Sequence, residues 1–168
     1  MLPWWSDVIF VVVYATLYAA LEIEIEGPAG WARNLPTVPM LGKFTGYHIL
    51  MNLTVIGSLS YAIYPRKGFW HTLYYVTAWF LVEDFMWFVY NPNYGLKKYS
   101  KNHVPWHGKC WPLGIPLHNY VGVAVMALAV WQTKDKDLGY AFLLIIALVS
   151  FLGLMTPLYR KCYAMVRS

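Results

Sequence analysis

The sequence predicts an all-α membrane protein with about five transmembrane helices in a single domain over residues 1–168. Composition is the first reason: 59% of the residues are hydrophobic and 12% are charged, whereas charged residues make up about 25% of a soluble domain. The second reason is that the apolar residues gather in five runs, each bounded by glycine, proline or charge. Aromatic residues make up 18% of the chain, which fits belts of Trp and Tyr at two membrane interfaces.

The five apolar runs predict five helices in chain order. The first, Trp5–Ile25, lacks the basic flank of a cleavable signal and is expected to remain as a helix. A tight loop separates the second, Tyr47–Tyr64, from the third, Phe69–Tyr90. The fourth, Leu117–Gln132, is near the lower limit for crossing about 30 Å of hydrocarbon. The fifth covers Leu138–Tyr159.

The distribution of lysine and arginine predicts an N-out, C-in orientation in the cell membrane. With five spans, nine basic residues fall on one side and four on the other, and the side with the excess is expected to be cytoplasmic. The nine are Arg33, Lys43, Lys97, Lys98, Lys101, Lys109, Arg160, Lys161 and Arg167; the four are Arg66, Lys67, Lys134 and Lys136. Because these charges are spread over loops, the net charge of +5 favours membrane lipid as a partner, and no nucleic acid is expected.

Two long loops, Gly27–Gly46 and Asn91–Pro116, lie on the predicted cytoplasmic side, while the opposite loops are short. Both are rich in Gly, Pro and Trp. This composition favours loops that fold against the interface and cap one end of the bundle.

Glu83 and Asp84 lie inside the third apolar run, about eight residues before Asn91. At about 1.5 Å per residue, Glu83 is expected roughly 12 Å inside the membrane boundary. An acidic side chain inside a membrane costs about 2.5–3.5 kcal/mol on insertion scales, so its presence there indicates a function. We predict that Glu83 and Asp84 are catalytic, although a buried carboxylate held for packing specificity is the alternative.

Other carboxylates and imidazoles are expected at the same end of the bundle. Glu22, Glu24 and Glu26 close the first run, and Glu22 and Glu26, four residues apart, share a helical face. His48 opens the second run, and His118 opens the fourth. The second long loop carries His103 and His107, which Pro105 keeps from sharing one regular helix.

Carboxylates and imidazoles together are ligands for iron, zinc or manganese, and helical bundles form such sites from inward-facing Glu and His. The predicted ligands of a divalent metal, with iron favoured, are Glu22, Glu26, His48, Glu83, His107 and His118. The chain contains no ExxH or HExxH motif and no histidine-rich box, which argues against the best-known type of membrane di-iron oxidase. The competing interpretation places these side chains at solvated or interfacial helix ends.

These observations favour a membrane-bound, metal-dependent enzyme that acts on a lipid or isoprenoid-like substrate at the cytoplasmic face. A non-haem oxidoreductase, performing hydroxylation or desaturation, is slightly preferred to a hydrolase. A non-catalytic accessory subunit that contacts a partner helix or a second copy is one alternative, and a proton-coupled transporter that uses Glu83 and Asp84 is the other.

Overall fold

A computed structural model describes residues 3–27, 30, 35–42 and 44–167. Within those residues the chain is mainly helical, as the sequence predicts, and a short antiparallel hairpin pairs Pro39 with Thr45. The elements are α1 (Trp4–Glu26), β1 (Pro39–Leu41), β2 (Phe44–Thr45), α2 (Gly46–Tyr90), α3 (Leu117–Thr133), α4 (Lys136–Leu154) and α5 (Thr156–Arg167). Trp31, Arg33 and Lys43, on which the loop and orientation predictions draw, lie outside the described residues.

Helix α2 contains the second and third predicted segments and is broken between them at Gly68. This residue has φ 76° and ψ −172°, a conformation that is open essentially to glycine alone. Pro65, three residues earlier, has no amide hydrogen to continue the helical bonding pattern. The two halves fold back on each other, so that His48 near one end and Glu83 near the other line one cavity.

The prediction of one helix over Leu138–Tyr159 is wrong at its C-terminal end. Helix α4 ends at Leu154 and α5 begins at Thr156. Pro157 is the second residue of α5, where a missing amide hydrogen is tolerated, and the Thr156 hydroxyl donates to the Gly153 carbonyl at 2.7 Å. The chain therefore turns where a proline would otherwise interrupt a continuous helix.

The connections separate to the two ends of the bundle. At one end, the buried Asp7 carboxylate pairs with Arg66 at 2.7 Å and Lys67 at 2.8 Å, and His71 contacts Asp135 at 2.8 Å. At the other end, the Arg160 guanidinium of α5 donates to the backbone carbonyls of Val89 and Asn91 at 3.3 and 3.4 Å. The long loops and α5 thus share one end, and the short connections share the other.

The core lies along the contact of α1 with both halves of α2. Ala15 and Ala19 of α1 are fully buried, and their small side chains allow the helices to approach closely. Trp79 and Tyr75 fill the second half of α2 and are 1% exposed. This packing fixes the relative positions of the helices that carry the acidic residues.

Large apolar side chains cover the outer surface. Leu17 is 65% exposed, Leu143 64% and Leu154 80%, whereas soluble monomers rarely expose extended apolar patches. By length and composition, α1 and α4 could each cross a membrane, with only 33% and 17% of their apolar windows buried. These two helices give weak support for membrane association.

Five spans are not confirmed, because only α1 and α4 among the described residues are long and apolar enough. Helix α3 has 17 residues, or about 25 Å at 1.5 Å per residue, which is short of the roughly 30 Å hydrocarbon thickness. Polar and charged side chains, including Glu83 and Asp84, lower the apolar character of α2.

Candidate metal centre

A cavity of about 640 Å³ lies between α1, the two halves of α2 and the loop before α3. Every side chain that the sequence predicts as catalytic or metal-binding lines this cavity: Glu22, Glu26, His48, Glu83, Asp84, His107 and His118. Their metal binding and catalysis stay predictions. The fold arranges these side chains in two clusters instead of one.

The first cluster consists of Asp84, His107 and His118. Asp84 Oδ1 lies 2.9 Å from His107 Nε2, and Asp84 Oδ2 lies 3.4 Å from His118 Nε2. The two imidazole rings are perpendicular, with centroids 4.7 Å apart. One potential ligand atom from each residue lies within 4.8 Å of the others, which is close enough for all three to bind a single ion.

The loop directs His107 inward and His103 outward. His107 ends a short 3₁₀ turn that begins at Pro105, and its side chain is only 8% exposed. Its ring stacks on Trp111 at 5.9 Å and 19° and contacts Phe88 edge-on at 5.6 Å. His103 is exposed and hydrogen-bonds to the Ser100 hydroxyl at 2.9 Å. Pro105 thus separates the two histidines, as the sequence predicts.

The other ring nitrogen of His107, Nδ1, is buried and has no hydrogen-bond partner. Histidines that bind metals usually donate this second N–H to an acceptor that orients the ring. At His107 the aromatic contacts provide the orientation instead, with Trp111 on one face. The Trp111 indole in turn donates to the Gly108 carbonyl at 3.0 Å, which ties the loop together.

The second cluster consists of Glu22, Glu26, His48 and Glu83. Glu22 on α1 and Glu83 on α2 approach each other across the cavity. Glu26 Oε1 lies 3.9 Å from His48 Nε2. Glu22 and Glu26 lie on the cavity side of α1, whereas Glu24 is exposed, as their spacing predicts.

Local structure at the start of α2 orients His48. The imidazole completes a capping box with Thr45, because His48 Nδ1 accepts from the Thr45 amide at 3.4 Å and contacts the Thr45 hydroxyl at 2.9 Å. Since Nδ1 is an acceptor, the proton of the neutral ring lies on Nε2, on the side of Glu26. His48 therefore serves both the helix end and the cavity wall.

Among the described residues, the cavity lining contains four acidic side chains and no lysine or arginine. In that part of the chain, Glu22, Glu83 and Asp84 form no ion pair with a lysine or arginine. In the adjoining loop, burial raises the pKa of Tyr99 well above its ordinary value, and the negative charge of Asp84 raises it further. Tyr99 thus remains a neutral phenol, and its oxygen accepts a hydrogen bond from Asn119 at 3.0 Å.

Aromatic and aliphatic side chains form the rest of the cavity wall. Tyr18 and Trp79 meet edge to face at 4.8 Å, and Phe80, Trp87 and Trp106 continue the lining. Several lining residues also reach the outer surface, since Phe44 is 44%, Leu53 60% and Ile56 39% exposed. The cavity therefore reaches the outer surface between apolar side chains.

The sequence predicts a catalytic role for Asp84 and does not place it among the metal ligands. Adjacent residues on a helix point about 100° apart, so Glu83 and Asp84 face different neighbours. Glu83 meets Glu22, and Asp84 meets the two histidines. Helical spacing alone predicts that Glu83 and Asp84 point in different directions. Which partners they meet depends on the path of the loop before α3, and composition does not specify that path.

The triad has the chemistry of a two-histidine, one-carboxylate site. Such a set leaves coordination positions open and is characteristic of non-haem iron oxygenases, while zinc hydrolases use a similar combination. The assignment rests on the geometry of this chain alone. Searches against protein-family models, curated proteins and solved structures gave no match.

Proposed function

We propose that this protein is a membrane-bound, metal-dependent enzyme whose metal ion is held by Asp84, His107 and His118. The observation that carries the proposal is the closeness of one potential ligand atom from each of these residues, all within 4.8 Å. Two imidazoles and one carboxylate favour iron, with zinc and manganese as the other candidates. Bound iron would supply oxidation with dioxygen, such as hydroxylation or desaturation, and bound zinc would supply hydrolysis.

The protein would contribute binding, orientation and exclusion of water. The wall of Tyr18, Trp79, Phe80 and Trp87 suits an apolar substrate, while the acidic residues suit a polar group at one end of it. Because Leu53 and Ile56 both line the cavity and face outward, a substrate dissolved in the bilayer would enter laterally. A lipid or isoprenoid-like molecule fits these requirements.

The direct test is the metal content of detergent-purified protein after dialysis, compared across variants. Asp84→Asn, His107→Ala and His118→Ala should each lose bound metal, because each removes one of three ligands. His103→Ala is the matched control, since His103 lies in the same loop but is exposed, and it should retain the wild-type content. Metal retained equally in all four variants would refute the site.

Two other results would point to the alternatives raised by the sequence. Folded wild-type protein that takes up none of iron, zinc or manganese, but conducts protons in vesicles, would favour a transporter. Metal-free protein that copurifies with a stoichiometric partner, and loses it in Asp84→Asn, would favour an accessory subunit. In both cases the enzyme proposal would be abandoned.

A further inference from the structure

Helix α5 (Thr156–Arg167) exposes apolar side chains along one face. Leu158 is 53% exposed, Met165 is 59% exposed, and Cys162 between them is exposed as well. Their spacing of four and three residues places them on a single helical face. A face of this kind requires an apolar environment that the bundle itself does not supply.

The other side of α5 is attached to the end of α2. The Tyr159 ring packs on Tyr90 with centroids 4.4 Å apart, and the Arg160 guanidinium donates to the carbonyls of Val89 and Asn91. Because these contacts hold α5 in one rotational position, its apolar face is directed away from the bundle.

A lysine-rich segment of the loop before α3 adjoins α5. The Arg160 guanidinium lies against Gly95, where a Cβ would be 2.9 Å from Nη2, so the absence of a side chain permits the contact. Gly95 directly precedes a short 3₁₀ turn over Leu96–Lys98. The contact therefore places the basic start of the loop beside the helix.

The loop and α5 are basic and contain no acidic residue. Residues 91–116 and 156–167 include no Asp or Glu. Positive charge beside exposed apolar side chains fits a partner with a negative surface and an apolar layer beneath it, which describes an anionic phospholipid bilayer. The exposed lysines of the two segments are Lys97, Lys98, Lys101, Lys109 and Lys161.

The apolar face of α5 continues the outer surface of α4. Phe151 is 58% exposed and Leu154 is 80% exposed at the end of α4, a helix long and apolar enough to cross a membrane. Helix α5 begins two residues after Leu154. It is therefore expected at the depth where a span formed by α4 would end, which is the headgroup region.

We propose that α5 lies in the interface of an anionic phospholipid bilayer, with Leu158 and Met165 directed into the apolar layer and the lysines of α5 and the adjoining loop in contact with lipid phosphates. Basic amphipathic helices bind membranes in this way. The surface lies outside the cavity, so the proposal does not depend on bound metal. It adds a preference for negatively charged lipid at the end of the molecule that contains the cavity.

The reaction rates of the two native cysteines test this arrangement in the full-length protein. Protein in nanodiscs of phosphatidylcholine, alone or mixed equally with phosphatidylglycerol, is treated with an uncharged, membrane-impermeant maleimide. The rate at Cys162 is divided by the rate at Cys110, which is exposed in the loop. Anionic lipid should slow labelling of Cys162 without abolishing it, and should lower the ratio by about fivefold, the contribution of a single lysine near such a surface.

Two double variants separate charge from packing. Lys97→Gln with Lys101→Gln should restore the ratio seen in phosphatidylcholine, whereas Lys134→Gln with Lys136→Gln, at the opposite end of the bundle, should leave the effect of anionic lipid intact. All four lysines are exposed, so neither variant removes a buried contact.

Three results would overturn the proposal. The first is an equal ratio in both kinds of nanodisc, and the second is an equal effect of the two double variants. The third is protection of Cys162 in detergent that increases with protein concentration, because a second copy of the chain would then cover the apolar face.

Discussion

At the residue scale, the side chains that line the cavity come from helices and from a loop: Glu22 and Glu26 lie on α1, Glu83 and Asp84 on α2, and His107 in the loop before α3. The sequence predicts positions on helices better than positions in the loop. Glu22 and Glu26 could be placed on one face and Glu24 on another, because helical geometry fixes that relationship. Asp84 could not be matched with His107, since the partner lies in a loop of residues 91–116 whose path depends on aromatic packing. Local periodicity predicts the face of a helix on which a residue lies, but not its contact with a residue in a distant loop.

Trp111 supports the candidate site without being able to bind a metal. Its ring stacks on His107 and its indole N–H closes the loop onto Gly108. Trp111→Leu should therefore lower metal affinity by about 10-fold, the lower end of the range for residues that orient ligands. Titration with iron or manganese measures the effect, and Trp131→Leu, at a 69% exposed position on α3, should leave affinity unchanged.

The contact between His71 and Asp135 should make stability depend on pH at the opposite end of the bundle. The hydrogen bond from His71 lowers the pKa of Asp135 below its ordinary value, against a smaller opposing effect of burial. A carboxylate with a lowered pKa stabilises the folded state above its unfolded pKa of about 3.9 and loses that contribution as the pH falls through the folded value.

Thermal unfolding between pH 3 and pH 6 (a range set by the roughly 3.9 reference value) tests this dependence. The difference in stability between wild type and Asp135→Asn should be largest at pH 6 and shrink towards pH 3. An equal difference at both ends of the range would show that the charge of Asp135 contributes nothing.

At the element scale, the sequence predicts where helices occur better than where they end. The apolar runs located α1, α3 and both halves of α2, because burial and membrane exposure both require apolar stretches. The separate helix α5 and the β1–β2 hairpin were missed. Each is set by only a few residues, such as Pro157 and Gly42, whose φ is 60°, and these produce no periodic signal.

Gly68 should be the critical residue of the α2 hairpin. Its backbone conformation costs a residue with a Cβ about 1–3 kcal/mol, so Gly68→Ala should lower the free energy of unfolding by that amount. Gly57→Ala is the control within the same helix, since a Cβ there meets no atom within 4 Å, and it should stabilise by about 0.5–1 kcal/mol. Denaturant unfolding in detergent compares the two, and equal effects would show that the break at Gly68 carries no strain.

At the scale of the whole molecule, the sequence predicted that connections separate to two ends, and the structure confirms this separation. The ion pairs of Asp7 with Arg66 and Lys67 mark one end, while the cavity and α5 mark the other. The number of membrane crossings and their orientation stay predictions, because within the part of the chain that the structure describes only α1 and α4 are long and apolar enough to cross a membrane. Composition alone does not separate a span from a helix buried within the bundle.

The two exposed cysteines test the orientation. Cys110 and Cys162 are both exposed, and both belong to segments at the end predicted to be cytoplasmic. A membrane-impermeant thiol reagent should label neither in intact cells and both in inside-out vesicles. In a cysteine-free background, Lys134→Cys at the opposite end should show the reverse, and labelling of Cys162 in intact cells would contradict the N-out, C-in arrangement.

The proposed function depends on a metal ion held jointly by His107, His118 and Asp84. X-ray absorption at the metal edge of purified, iron-loaded protein detects these ligands, because imidazole ligands add a distinctive scattering contribution. We expect nitrogen and oxygen ligands at about 2.0–2.2 Å, with an imidazole contribution that decreases in His107→Ala and is unchanged in His103→Ala. A spectrum without imidazole scattering, or one identical in both variants, would exclude His107 as a ligand and refute the proposed site.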